Sequence, residues 1–383
     1  MIQQTIPAVF MRGGTSKGLM LHRRDLPAAR EDWGPILTGA MGSPDPYGRQ
    51  LDGMGGGVSS TSKVCVIGAS TREDADVDYT FCQVPVKGSA VQYQGNCGNM
   101  SSAVGPFAVD EKLLDVAGDT ATVRIFNTNT QKLIRSTFPV GDGRARYDGD
   151  LAIPGVAGTG APVRLDFIAP GGASTGSLLP SGRLLDTLDV PGFGTLAVSL
   201  VDAANAAVFV RAWDVGLSGA ELPDQLEARA DVLALLEAVR VRASVAMGIA
   251  PDIESAGRIT IIPFVAVIAP PADSRTLAGD GIGRGEVDLT ARVISNGQPH
   301  RALPLTISLC AAVAARMPGT VVAEALPPDV PGGALRLGMP SGILTVDADV
   351  AEEGGAWVAR AGSFYRTARR LFDGRVHLPA RRA

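Results

Sequence analysis

The apolar positions of this chain fall mostly in short runs with β-branched alternation, separated by Gly, Pro, Asp and Asn. Runs of that kind predict strands, here at residues 6–11, 64–67, 77–84, 122–126, 163–167, 195–201, 207–210, 258–269 and 343–346. Helical periodicity is rarer. Residues 223–247 place Leu226, Leu233, Leu236, Val239 and Ala243 on one broad face. Residues 101–114 and 302–316 are different in kind, because they are apolar round most of their length. A helix without a polar face is one that the fold buries on every side.

One such helix lies in each half of the chain, with strands before and after it in sequence. The pattern predicts an α+β protein of two similar domains, each a curled, mostly antiparallel sheet wrapped round a central buried helix. Many short strands at close spacing disfavour a doubly wound α/β fold. The Gly/Ser-rich stretch 170–182 suggests the boundary, and the C-terminal segment returns to the first domain. The expected domains are therefore 1–176 plus 363–383, carrying Lys63 and Cys97, and 177–362, with its central helix near 302–316. A cleft between two such domains is a common place for a small-molecule site. The halves share no evident sequence identity, so any duplication is one of plan.

Composition narrows the function. The chain has 383 residues, 45% hydrophobic and 19% charged, which is enough apolar content for large cores and excludes whole-chain disorder. Net charge is −4, and basic residues cluster only as short Arg pairs, so no nucleic-acid partner is expected. No apolar run reaches ~18 residues, so no membrane span is expected. The first residues lack a basic-then-apolar leader pattern, and a cytoplasmic location with free thiols is the expectation. Cys65, Cys82, Cys97 and Cys310 form no CxxC pair, and His22, His300 and His377 are scattered. No metal site and no cofactor fingerprint is read.

Four segments carry candidate chemistry. RGGTSKG at 12–18 departs from the P-loop pattern, since its Lys precedes the last Gly, but its glycines and hydroxyls suit anion binding. DGMGGGVSSTSK at 52–63 is a donor-rich loop ending at Lys63, directly before an apolar strand. Desolvation at such a place can turn a lysine into a proton-transfer base. GNCGN at 95–99 opens the first buried helix. There Asn96 can cap early amides and Cys97 meets the positive end of the helix, which favours a thiolate. GQPHR at 297–301 precedes the second buried helix, so His300 and Arg301 stand near another positive helix end, and Thr306 lies within its first turns. The competing reading of each is plain: a tight turn, a solvated strand-edge lysine, a buried inert cysteine, a surface turn. One Lys, one Cys, two helix N-termini and several Gly/Ser loops suit removal of a proton beside a carboxylate and its return elsewhere.

These segments, with GGGVSSTSK, DVDYTFCQV, GRGEVDLTARVISNGQPHRA, PGTVV and YRTARRLFDGRVHLP, resemble the PrpF-type family almost end to end. That family includes 2-methylaconitate cis–trans isomerase, methylitaconate isomerase and 4-oxalomesaconate tautomerase. The resemblance implies a diaminopimelate-epimerase-like fold and a cofactor-independent isomerase. Its substrate would be a small unsaturated di- or tricarboxylic acid. It also implies Lys63 and Cys97 as the proton-transfer pair, with Thr15, Ser16, Ser60, Asn96, Gly98, His300 and Thr306 at the substrate. Ser59-Ser60-Thr61 favours 2-methylaconitate over 4-oxalomesaconate. A homodimer and a functional pairing with an aconitase-like dehydratase are further expectations. The alternative from another class is a non-catalytic accessory protein of an iron–sulfur dehydratase. A racemase, with two opposed bases, is disfavoured by Leu303-Pro304 at the second helix start.

Overall fold

The computed structural model describes residues 4–93, 95–259, 262–295, 297–328 and 333–379. The chain forms two compact units, Met1–Asp166 with Tyr365–Ala383, and Phe167–Phe364. The first crossing falls inside the strand Val163–Ile168, and the Gly/Ser-rich stretch beyond it belongs to the second unit. That stretch is tied down rather than loose. The backbone amides of Ser174 and Thr175 and the Thr175 hydroxyl all donate to the Asp202 carboxylate, at 2.6–2.9 Å.

The first unit contains β1 (Thr5–Gly13), β2 (Ser16–His22), α1 (Trp33–Met41), β3 (Lys63–Ala69), β4 (Val77–Gln83), α2 (Gly98–Asp110), β5 (Thr120–Asn127) and β6 (Lys132–Gly141). Pairing alternates along this series: β1–β2 antiparallel, β2–β3 parallel, β3–β4 antiparallel, β4–β5 parallel, β5–β6 antiparallel. The strand Ala368–His377 adds antiparallel to β1. Side chains of a strand alternate between faces. Phe10, Leu19, Leu21, Val64, Val66 and Cys82 pack with Trp33, Ile36 and Leu37 of α1. The alternate positions face α2, which touches β1, β2, β3, β5 and β6.

The second unit repeats the plan with β7 (Gly194–Ala203), β8 (Asn205–Arg211), α3 (Ala230–Ala246), β9 (Phe264–Ala269), β10 (Leu289–Ser295), α4 (Leu305–Ala315), β11 (Leu335–Met339) and β12 (Gly342–Glu353). Its pairings follow the same order: antiparallel, parallel, antiparallel, parallel, antiparallel. Val232, Leu236, Val239 and Ala243 of α3 pack on Val208, Val210, Val265 and Val267. The central helix α4 is buried at all its positions, and α2 at every position but Asn99 and Asp110. An apolar circumference leaves no side that water could cover, which is why both were legible as core helices.

Local readings differ at several places. The helix expected over 223–247 is two, Pro223–Glu227 and α3, broken around Ala228-Arg229. The strand expected over 258–269 begins only at Phe264, because a helix capped by Asp252 runs through Arg258. Residues 260–261 of that run lie outside the described residues. Helix α1 escaped notice because Gly34, Pro35 and Gly39 interrupt its apolar stripe. No helix among the described residues is long and apolar enough to cross a membrane.

Close packing of the first central helix supplies a test. A Cβ on Gly105 of α2 would lie 2.6 Å from Ser136 Oγ and 2.7 Å from Phe138 Cε1 on β6, whereas one on Gly257 meets nothing within 4 Å. Gly105→Ala is expected to cost about 1–3 kcal/mol. Gly257→Ala is expected to be neutral or to stabilise by up to ~1 kcal/mol. Urea midpoints with unchanged slopes would show both.

Candidate functional site

The register of β3 and β4 does the first positioning. Lys63 pairs with Gln83, Cys65 with Phe81 and Ile67 with Tyr79. Val64, Val66 and Cys82 belong to the cluster of α1, so Lys63, Cys65, Tyr79, Phe81 and Gln83 share the face toward α2. Lys63 is only 7% exposed. Its Nζ donates to Gln83 Oε1 at 2.6 Å and lies 5.0 Å from the Phe81 ring centroid. Gly18 of β2 lies beside it in the parallel ladder, and a Cβ there would stand 2.3 Å from the Lys63 carbonyl oxygen.

Cys97 is the N-cap residue of α2, and its side chain makes no capping bond to that helix. The expected role of Asn96 is corrected: its Oδ1 faces the Ser101 hydroxyl at 3.1 Å instead of a backbone amide. Gly98 is buried at the first helical position. Cys65 lies on the same face of the sheet as Lys63. Burial pushes its thiol well above the ordinary range; Cys97 adds to that shift and Lys63 opposes it. The Cys65 Sγ also lies 3.8 Å from the hydroxyl of the buried Tyr79.

The RGGTSKG turn closes on the same helix end. The Thr15 amide donates to Asn99 Oδ1 at 3.2 Å, and Ser16 is buried at the start of β2. Arg12 Nη1 donates to the carbonyls of Gly14 and Thr367 and to the Thr367 hydroxyl, at 2.9–3.0 Å. Burial first, then the neighbouring Arg369, lowers the Arg12 guanidinium. Ser60 lies exposed on the helical turn Ser59–Thr61 just before Lys63. Thus Thr15, Ser16, Asn96, Cys97 and Gly98 gather at the N-terminus of α2, and Lys63 faces that helix from the sheet.

In the second unit Thr306 is buried in the first turn of α4, and its Oγ1 accepts from Asn205 Nδ2 at 3.0 Å. His300 does not stand as a cation before that helix. Burial pushes its imidazole down to about 4, and its Nε2 lies 2.7 Å from Ser295 Oγ. The ring packs against Phe264, with centroids 6.1 Å apart. Any substrate contact by His300 is thus one made by a neutral ring at neutral pH.

Sequence reasoning missed four groups here. Gln83 touches Lys63 directly, and Asn99 joins the turn to the helix. Gln50, 1% exposed, donates from Nε2 to the Ser43 and Ser62 hydroxyls and accepts the Gly57 amide, pinning the glycine-rich loop. Arg366 is buried, with its guanidinium pushed down to about 9 by desolvation. Asn99 stood within GNCGN; Gln83 and Gln50 carry no local signal, since their partners lie far off in sequence or in a loop of irregular shape, and the burial of Arg366 is a property of the fold around it. Among the described residues no group of three or more His, Cys, Asp or Glu side chains is placed to hold a metal ion.

Comparison with known proteins extends this geometry. The chain matches the family described as PrpF protein over residues 3–379. It is 40% identical over 378 residues to a 3-methylitaconate isomerase of Eubacterium barkeri, covering 98% of each chain. It is 37% identical over 391 residues to a 2-methyl-aconitate isomerase of Shewanella oneidensis, again covering 98% of each. To a (4E)-oxalomesaconate Delta-isomerase of a Novosphingobium species it is 38% identical over 375 residues, covering 97% of this chain and 96% of the relative. A crystal structure of a methylitaconate-delta-isomerase superposes with a TM-score of 0.87 at 40% identity, covering 98% of this chain and 96% of the other. A hydroxyproline epimerase from Agrobacterium vitis shares the fold alone, with a TM-score of 0.57 at 12% identity and coverage of 98% and 94%.

The neutral state of His300 has a measurable consequence. Its folded value, about 4, lies below the ordinary 6.5. The unfolded chain therefore binds the proton first as pH falls. The stabilisation is whole above pH ~6.5 and is lost progressively toward pH ~4, by up to about 3 kcal/mol. Urea unfolding between pH 4 and 7 should show a steeper acid loss in the native chain than in His300→Asn; equal slopes would contradict the assignment.

Proposed function

We infer the reaction from the premise that the chain belongs to the PrpF protein family and is an isomerase. Named isomerases match it over nearly its full length, which sets aside the accessory-protein reading. The proposed reaction is a proton-transfer isomerisation of an unsaturated di- or tricarboxylate. A base takes the proton from the carbon allylic to the double bond. The electron pair spreads into the carboxylate-conjugated system. A proton then returns at the far carbon, which shifts the double bond, or at the same carbon after rotation, which exchanges cis and trans. Atoms and electrons balance within the substrate.

In this reading Lys63 takes the allylic proton and Cys97 returns one or guides rotation. The observation that carries it is geometric: Lys63 lies buried on the sheet face that packs on α2, and Cys97 stands at the N-terminus of that helix. Thr15, Ser16, Ser60, Asn96 and Gly98 hold carboxylates, helped by the amides that open α2. Those amides also stabilise the negative charge that develops as the proton leaves.

The proposed substrate is 2-methylaconitate, on the Ser59-Ser60-Thr61 sequence. Methylitaconate is the second reading, favoured by the 40% identity to an isomerase of that name. A cytoplasmic location, a homodimer and a functional pairing with an aconitase-like dehydratase accompany the proposal.

Lys63→Ala and Cys97→Ala should each lower turnover about 10²–10⁴-fold while leaving the unfolding transition in place. The assay is ultraviolet absorbance with 2-methylaconitate, methylitaconate, aconitate and 4-oxalomesaconate. Proton NMR in D2O should show deuterium entering an allylic position of the converted acid. Full turnover by either variant would remove the mechanism.

A further inference from the structure

Lys63 is the sole long, flexible side chain in the proposed proton-transfer pair, and a freely rotating amine would spend little time aligned with a reacting carbon. Its amine is held. Gln83, directly opposite in the antiparallel ladder, presents Oε1 to Lys63 Nζ at 2.6 Å. The orientation of that amide is decided by its other end. Gln83 Nε2 donates to the carbonyl of Ser62 at 2.9 Å and to that of Ser59 at 3.2 Å. Carbonyl oxygens only accept, so the amide nitrogen must face them and the amide oxygen must face the amine. The backbone of Gln83 is fixed as well, by a reciprocal pair of 2.9 Å bonds with Gln92. The neighbouring Val84 amide donates to the Ser62 carbonyl at 3.1 Å. The Phe81 ring, on the same face of the sheet, bounds the amine on another side.

We propose that Gln83 is the positioning residue of Lys63: it clamps the amine to the Ser59–Thr61 turn and holds it at the geometry from which it reacts. This rests on the reading of Lys63 as a proton-transfer group. The clamp also ties the lysine to the turn that carries Ser60, so a change in that turn on substrate binding is passed to the amine through one side chain. Removing the acceptor frees the amine without touching the substrate. The loss therefore falls on turnover more than on KM.

The test uses three variants of the full chain. Gln83→Met keeps the volume and removes the acceptor. Gln83→Glu keeps an acceptor oxygen beside the amine and adds a negative charge. Lys63→Ala is the reference for loss of the amine itself. Gln83→Met should lower kcat on the best-converted acid about 10²-fold with KM little changed. Gln83→Glu should move the limb of the pH–rate profile that disappears in Lys63→Ala upward by about one unit. The chain has five lysines, Lys17, Lys63, Lys87, Lys112 and Lys132. With lysine labelled with ¹³C at Cε, few resonances result, and Lys63→Arg assigns the one that matters. Its titration midpoint should rise in Gln83→Glu, a readout that needs no turnover and that a purely structural role would not move. Wild-type kcat in Gln83→Met, or an unmoved Lys63 midpoint in Gln83→Glu, overturns the proposal while Lys63→Ala stays inactive. Activity in Lys63→Ala would instead defeat the functional reading beneath it.

Discussion

A helix with no polar side can meet polar chemistry only at its ends. That constraint organises this protein. Helix α2 is buried along nearly all its length, so the sheet must curl round it, and the amides of its first turn become a polar outlet of an apolar core. The sequence around that outlet is suited to it. Cys97 sits at the cap, Asn99 holds the Thr15 amide, and Ser16 begins the adjoining strand. The N-cap residue itself, Cys97, makes no capping bond there. A helix end without such a bond costs stability unless something else satisfies the amides, and a bound carboxylate does so.

The two units share one plan but not one chemistry. Lys63 begins β3 and Phe264 begins β9; Gln83 ends β4 and Ser295 ends β10; Cys97 is the N-cap residue of α2 and Pro304 that of α4. At the position corresponding to the Lys63–Gln83 pair, the second unit has an aromatic ring, a hydroxyl and a histidine held neutral by burial. A duplicated fold could carry one proton-transfer group in each half. Here both members of the proposed proton-transfer pair lie in the first. The cap of α4 holds Pro304, a residue with no group to transfer a proton, where the cap of α2 holds Cys97.

The other cysteines illustrate how position decides reactivity. Cys82 and Cys310 are fully enclosed, and burial drives their thiols upward. Cys65 is equally enclosed but shares its face with Lys63, Tyr79 and the helix end. Among the four, Cys97 alone keeps partial access to solvent.

The amino-acid sequence by itself determined the two central helices, most of the strands around them, and the segments RGGTSKG, SSTSK and GNCGN. Each of these is a local statement: an apolar circumference, a period of two, a cluster of glycines before a helix. Local statements survive in the fold because burial acts on each segment separately. Tertiary structure alone decided what lies across a ladder or at the far end of a side chain. Gln83 opposes Lys63 only because β3 and β4 pair in one register, and a slip of β4 by one residue would turn Gln83 to the other face of the sheet, away from Lys63. Asn96 lost its capping role to a hydroxyl one turn along, and His300 lost its charge to the packing around it. Hydrogen-bond partners and desolvation are properties of neighbours distant in sequence, and nothing in the order of residues states them.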